Sequence, residues 1–242
     1  MRVTDAAATD SRRQGAWTQG VDAVMLDLDG TLVDTLGDFA AAVNRMLDEL
    51  GYPAMPTAEI ALRVGKGSEH LLHSVLRWAA AQARPGQDAV PDPALFAHAW
   101  ARYQSHYEQI NGQHARVYPG VREGLARLQA AGLALVCLTN KPRAHARALL
   151  HVKALDGYVR EVFGGDSYER KKPDPLPLLK TCAWLGTPPA HTLMVGDSSN
   201  DAQAARAAGC PVVLVTYGYN HGAPVREVDA DGTIDALTEL LR

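Results

Sequence analysis

Short apolar runs alternate with amphipathic segments along the second half of the chain. The runs lie at 133–139, 162–163, 192–195 and 212–215, and each has the length and composition of a buried strand. Between them, apolar residues recur at spacings of three and four, which is typical of helices that bury one face. Repeated β-α-β units indicate a parallel sheet with right-handed crossovers. The pattern predicts an α/β fold with a doubly wound parallel sheet.

Residues 36–115 show a different pattern, without a strand signal. Apolar residues at helical spacing predict three helices, around 36–50, 71–78 and 95–110, and the proline-rich segment 85–93 separates the last two. We interpret this stretch as an all-helical domain inserted into the α/β core. The predicted organisation is a loose polar tail at 1–20, a core formed by 21–35 and 116–242, and the inserted domain at 36–115.

The run from Val24 to Thr35 places two carboxylates directly after an apolar strand. Alternation along a strand puts Asp27 and Asp29 on one face at the mouth of the sheet, and Gly30 forms the turn that follows. Two ionised carboxylates this close repel each other, and burying either one unpaired is costly. A chain retains such a pair when a cation lies between them, or when one is a nucleophile and the other an acid/base. The alternative, an N-cap and a turn aspartate, leaves Asp27 unexplained.

Three further groups follow in order along the chain. Thr139-Asn140 ends a predicted strand, Lys172 directly precedes a proline, and Asp197 closes another strand-like run. Together with the sequence DLDGTLVDT, they resemble the four motifs of the haloacid dehalogenase superfamily. Within that superfamily, residues 21–241 resemble bacterial phosphoglycolate phosphatases, including the phrases TNKP, FGGD and KKPDPLPLL.

The resemblance implies a site for phosphoryl transfer. Asp27 would be the nucleophile that forms an aspartyl-phosphate, and Asp29 would protonate the leaving alkoxide and then activate water. Dehalogenases of the superfamily lack an acid at this second position, so Asp29 argues for phosphate chemistry. Lys172 would add positive charge among the carboxylates, whereas the neighbouring Lys171 is interpreted as a solvated loop lysine. The other predicted phosphate contacts are Thr139 Oγ, Asn140 and the backbone amides at Gly30 and Thr31.

The candidate metal ligands are all oxygen atoms, from the carboxylates of Asp27 and Asp197 and the main chain at Asp29. Hard oxygen ligands with room left for waters favour Mg²⁺ over zinc, and the resemblance assigns the same three positions. Asp201 has two interpretations. It is either an outer carboxylate that orients a metal-bound water or Lys172, or the acid of a helix N-terminus.

In the resembled family the inserted helical domain is a cap that closes over the active site. Phosphoglycolate offers only a carboxylate beyond its phosphate, and a carboxylate is bound by a cation or by backbone amides. The basic loop 63–68 opens a helix of this domain, so we predict that Arg63 and Lys66 bind the carboxylate. The alternative is that its glycines only turn the chain and both cations face water.

The sequence thus predicts a Mg²⁺-dependent phosphomonoester hydrolase acting on a small phosphate ester, with 2-phosphoglycolate the first candidate. The alternatives are a phosphatase for a sugar phosphate or a nucleotide, a sugar phosphomutase of the same superfamily, or a catalytically silent phosphate-binding protein. The last alternative predicts the loss of at least one motif residue, and every motif residue is present.

Composition narrows the range of partners. The net charge is −3 and no basic run exceeds three residues, so neither nucleic acid nor an anionic membrane is an expected partner.

Three cysteines without metal-ligand spacing predict small buried thiols in a reducing compartment. The polar stretch 1–20 lacks the apolar segment of a signal peptide, and no run reaches transmembrane length, so a cytoplasmic location is expected. Tyr217 and Tyr219 are interpreted as packing residues, and the oligomeric state is left open.

Overall fold

The computed structural model describes residues 17–83 and 91–241. Most of the predicted N-terminal tail and most of the proline-rich segment 85–93 lie outside these residues. Among the described residues, no helix is both long enough and apolar enough to cross a membrane.

A six-stranded sheet of parallel strands forms the centre of the molecule, in the order β5-β4-β1-β6-β7-β8. In the central strand, Leu26 is in register with Cys137 on one side and with Val195 on the other. The carboxyl ends of these three strands therefore lie level, and the loops that leave them meet at one edge. The strands are β1 Ala23–Leu26, β4 Ala134–Leu138, β5 Val162–Phe163, β6 Thr192–Gly196, β7 Val212–Val215 and β8 Gly232–Ile234.

Both faces of the sheet are covered, because its strands are apolar on both sides. Helices α5 and α6 contribute to one buried cluster, and α7 and α8 to a second cluster on the other face. The predicted doubly wound α/β fold is confirmed. The helices are α5 Val121–Ala130, α6 Arg143–Val152, α7 Leu176–Leu185 and α8 Ser199–Ala208.

Four helices between β1 and β4 form a block with an apolar core of their own. The block is entered and left through a two-stranded antiparallel ribbon in which Val33 pairs with Val117. Its helices are α1 Leu36–Glu49, α2 Thr57–Ala61, α3 Ser68–Ala83 and α4 Pro93–Ile110, and the ribbon strands are β2 Val33–Asp34 and β3 Arg116–Val117.

Four of the short elements among the described residues were not predicted, namely β2, β3, α2 and β8. The two ribbon strands have two residues each and α2 has five. These elements are too short to show a periodic pattern of apolar residues, which is the signal that predicts strands and helices. Strand β8 consists of Gly-Thr-Ile at the sheet edge, where only Ile234 is fully buried. The three cysteines are free and buried, as predicted.

A buried carboxylate fastens the helical block where the chain leaves it. Asp38, in the first turn of α1, is fully buried and accepts hydrogen bonds from the amides of Gly112 at 2.6 Å and His114 at 2.7 Å. Bonds of this kind to a charged acceptor are stronger than neutral ones, so Asp38 fixes the return of the chain against α1.

Asp38→Asn is expected to lower the free energy of unfolding by roughly 2–4 kcal/mol, because the new amide NH₂ faces a backbone N–H that has lost its acceptor. Urea denaturation measures the change. The control is Asp48→Asn on the exposed side of the same helix, which should shift stability by no more than about 0.5 kcal/mol. Equal stability of the two variants would contradict the role given to Asp38.

Candidate active site

Four buried carboxylates meet at the carboxyl edge of the sheet. Asp27 and Asp29 follow β1, whereas Asp197 and Asp201 lie after β6 and at the start of α8. The backbone holds the first of them in place, because the amide of Asp27 donates to the carbonyl of Val195 at 2.9 Å. The sheet register alone therefore brings together residues that are 170 positions apart in the sequence, such as 27 and 197.

Lys172 connects two of these carboxylates. Its Nζ lies 2.7 Å from Asp201 Oδ1 and 3.1 Å from Asp27 Oδ1, and it donates to the carbonyl of Leu138 at 2.7 Å. Burial lowers the pKa of Lys172, but the two carboxylates outweigh it and the pKa lies above its ordinary value. Lys171 is exposed, so the structure places only the second lysine of the pair at the site.

The contacts of Asp201 match two roles predicted for it, the positioning of Lys172 and the capping of a helix N-terminus. Its Oδ1 pairs with Lys172, while its Oδ2 accepts from the hydroxyl of Ser198 at 3.0 Å and from the Ser198 amide at 3.2 Å. The latter contacts form the capping box of α8. Because both oxygens are engaged, Asp201 holds Lys172 and the first turn of α8 in place.

Asp197 is enclosed by backbone on several sides. Its Oδ2 accepts from the amide of Tyr219 at 2.7 Å. A Cβ atom placed on Gly30 would lie 2.2 Å from that oxygen, and one on Gly218 would lie 2.2 Å from the Asp197 Cβ. Gly30 also has φ +87°, a conformation that residues with side chains rarely adopt. Tyr219, predicted only to pack, therefore positions Asp197.

Among the described residues, the buried carboxylates at this edge outnumber the buried ammonium groups. Four buried carboxylates face two buried ammonium groups, Lys172 and Lys141. Oxygen atoms of Asp27, Asp197 and Asp201 lie within 4.8 Å of one another. Burial raises the pKa of Asp27 to about 6, although Lys172 lowers it in part, and burial also raises that of Asp197. This donor set fits a divalent cation with oxygen ligands.

Lys141 is a site residue that sequence reasoning did not identify. Its Nζ donates to both oxygens of Asp29, at 3.0 and 3.2 Å, and to the hydroxyl of Tyr107 on α4. The signal that could have identified it is its place directly after Thr139-Asn140 and before a proline, since Lys172 also precedes a proline.

A partly open cavity separates the sheet edge from the helical block, and the empty space in it, counted together with the solvent at its mouth, is about 370 Å³. Thr139 and Asn140 line it from the sheet, as do the first two aspartates. Phe39 and the glycine-containing segment 64–68 line it from the helical block. The cavity thus brings the predicted nucleophile, acid and threonine onto one surface.

The amides of Gly30 and Thr31, predicted to contact the phosphate, are already hydrogen-bonded within the protein. Their amides close the turn after β1, donating to the carbonyls of Val33 at 2.9 Å and Leu28 at 3.3 Å. The Asn140 side chain is also occupied, since it bonds both main-chain groups of Lys172. The amides of Asp29 and Asn140 have no acceptor among the described residues, so both can donate to a ligand.

Arg63 and Lys66 also lie away from the position predicted for them. Arg63 is held by Glu59, whose carboxylate is 2.8 Å from its guanidinium. Lys66 lines an open groove on the outside of the molecule rather than the cavity. The loop does reach the cavity, but through Gly65, Gly67 and Ser68.

Comparison with known proteins identifies the fold and the motifs. A sequence profile of the haloacid dehalogenase-like hydrolases matches residues 24–215. The chain belongs to this hydrolase family. It is 45% identical over 219 residues to the phosphoglycolate phosphatase of Thiobacillus denitrificans, covering 90% of this chain and 93% of that protein. For the phosphoglycolate phosphatase of Nitrosospira multiformis the identity is 46% over 219 residues, with the same coverage of 90% and 93%.

A solved structure shows the same similarity. The crystal structure of a predicted phosphoglycolate phosphatase from Haemophilus somnus aligns with a TM-score of 0.86 at 32% identity, covering 91% of this chain and 96% of that chain. The resemblance drawn from the four motifs is therefore confirmed.

The raised pKa of Asp27 gives a prediction for the metal-free protein. In EDTA, Asp27 takes up its proton near pH 6 when folded but only near 3.8 when unfolded, so its ionisation destabilises the fold as the pH rises through this window. The Asp27→Asn variant cannot ionise at this position, so it does not lose this stability as the pH rises. Its stability relative to wild type should therefore increase by up to about 3 kcal/mol between pH 4 and pH 7. Urea melts across this pH range measure the difference, with Asp48→Asn as the exposed control; a pH-independent difference would refute the prediction.

Proposed function

We propose that this protein is a phosphomonoester hydrolase whose substrate is 2-phosphoglycolate, which it cleaves to glycolate and phosphate. The observation that carries the proposal is the cavity in which Asp27, Asp29 and Thr139 meet, in a chain with about 45% identity to phosphoglycolate phosphatases. In this proposal residues 36–115 act as a cap that excludes water from the cavity.

In the first step a carboxylate oxygen of Asp27 attacks phosphorus, and the bond between phosphorus and the glycolate oxygen breaks. Asp29 donates its proton to that oxygen as it leaves, which avoids release of an alkoxide. The hydroxyl of Thr139 and the open amides of Asp29 and Asn140 are the donors available to the phosphoryl oxygens. Lys172 offsets the negative charge of the pair Asp27 and Asp201.

In the second step water attacks phosphorus and the bond to Asp27 breaks. Asp29, ionised after the first step, takes the proton of that water. One residue serves both steps because the leaving group departs before the water enters, and the carboxylate of Asp27 is restored as phosphate is released.

We further propose Mg²⁺ as the cofactor, held by the carboxylates of Asp27 and Asp197 and the main-chain carbonyl of Asp29. When bound, Mg²⁺ supplies neutralisation of charge on the phosphoryl group. The support is the excess of buried carboxylates over ammonium groups and the absence of sulfur and nitrogen ligands from the acidic cluster found among the described residues. The substrate is a small phosphate ester, and a cytoplasmic location accords with three free buried thiols.

A phosphate-release panel with Mg²⁺ tests the function. It comprises 2-phosphoglycolate, 3-phosphoglycerate, sugar phosphates, nucleotides and p-nitrophenyl phosphate. We expect kcat/KM to be highest for 2-phosphoglycolate by about tenfold or more, and Asp27→Asn to retain less than about a thousandth of the activity. A preference for a sugar phosphate or a nucleotide would contradict the substrate, and conversion of a sugar phosphate to its isomer would indicate a mutase.

Thermal unfolding without substrate tests the metal. Mg²⁺ binds only the folded state in this account, so it should raise the Tm of the wild type in a concentration-dependent way. Asp197→Asn should abolish the shift, while the exposed control Asp48→Asn should keep it. An unchanged shift in Asp197→Asn would show that Asp197 is not a ligand.

A further inference from the structure

The cavity contains one cation whose role the proposed function does not use. The side chain of Lys141 is 2% exposed, and its Nζ touches Asp29 and the Tyr107 hydroxyl. Nζ also lies 4.7 Å from the ring centres of Phe39 and Tyr107. Among the described residues that line the cavity, Lys141 alone carries a positive charge.

The position of this ammonium group matches the chemistry of a short acid. In 2-phosphoglycolate one methylene group separates the ester oxygen from the carboxylate. In the proposed mechanism Asp29 contacts the ester oxygen, and Lys141 Nζ lies 3.0 Å from Asp29. A carboxylate attached one carbon beyond that oxygen therefore falls within reach of Nζ.

The other cations near the site are already engaged or lie elsewhere. Lys172 is bound between Asp27 and Asp201, and Arg63 is paired with Glu59. Lys66 lines the outer groove. A buried ammonium group facing aromatic rings needs an anion, and among the described residues Asp29 is the carboxylate that pairs with Lys141. When Asp29 carries the proton that it donates in the first step, the carboxylate of the substrate takes over as the anion beside Lys141.

We propose that Lys141 is the specificity-determining residue that binds the substrate carboxylate, with Tyr107 orienting its ammonium group from the cap. This inference rests on the proposed function and deepens it. It assigns the site to phosphomonoesters that carry a carboxylate one carbon from the ester oxygen. Phe39 lies beside Nζ, and Lys141 is the one positively charged residue among the described residues that line the cavity, so an uncharged end group of the same size gains no ion pair there.

The test compares 2-phosphoglycolate with its carboxamide, which has the same shape but no charge at that end. Lys141→Met should lower kcat/KM for phosphoglycolate about 30-fold or more relative to the carboxamide, because it removes one partner of a buried ion pair. Lys141→Arg should retain part of the preference, since it keeps the charge. Lys171→Met, in an exposed lysine of the neighbouring loop, should leave the ratio of the two substrates unchanged within about threefold.

Circular dichroism verifies that each variant is folded. Should Lys141→Met not fold, Tyr107→Phe provides the test, because it removes the hydroxyl that contacts Nζ and should reduce the preference by about three- to tenfold. Equal losses on both substrates would show that Lys141 only positions Asp29 and would overturn the inference. A drop in the ratio for Lys66→Met would overturn it in favour of the cap loop. If the wild type does not hydrolyse phosphoglycolate, the proposed function itself is contradicted. That result is distinguishable from the outcomes above, in which the wild type hydrolyses phosphoglycolate and only the role of Lys141 is overturned.

Discussion

Burial of four carboxylates with two ammonium groups at one edge of the sheet is the constraint on which the site depends. Each isolated charge would be costly to remove from water, so every one of them needs partners in place when the chain folds. Lys172 satisfies two carboxylates at once, and Asp201 in turn caps the helix that begins beside it. The ammonium group of Lys172 lies 3.1 Å from Asp27 Oδ1, so the ion pair that stabilises the edge also orients the carboxylate proposed as the nucleophile.

The helical block is attached to this cluster by a few specific contacts. The carbonyl of Gly65 accepts hydrogen bonds from the side-chain amides of Asn140 at 3.1 Å and Asn200 at 3.3 Å. At the ribbon, the hydroxyl of Tyr219 accepts from the amide of Thr35 at 2.8 Å, while the Tyr219 amide binds Asp197. One residue therefore links a proposed metal ligand to the chain segment that enters the helical block.

The sequence could predict the sheet and the acidic residues because both leave local signals. Apolar runs ending in Asp27, Thr139 and Asp197 indicate strands and their carboxyl ends, and parallel strands bring those ends together. The contact of Lys141 with Asp29 cannot be predicted from the pattern of apolar residues, because it depends on how the loop after β4 packs against Tyr107.

Two other features could not be predicted for similar reasons. Whether the amides at Gly30 and Thr31 are free depends on the hydrogen bonds of one turn, and the turn uses both. Whether Arg63 reaches the cavity depends on a neighbouring glutamate that binds it first.

Trapping of the covalent intermediate tests the central claim most directly. In Asp29→Asn, p-nitrophenyl phosphate still transfers its phosphoryl group, because nitrophenolate leaves without a proton, but hydrolysis of the aspartyl-phosphate lacks its base. Acid quenching followed by peptide mapping should recover about one phosphoryl group per chain, on the peptide that contains Asp27. The double variant with Asp27→Asn should carry none. Phosphate on a different residue, or no covalent phosphate during turnover, would contradict the account.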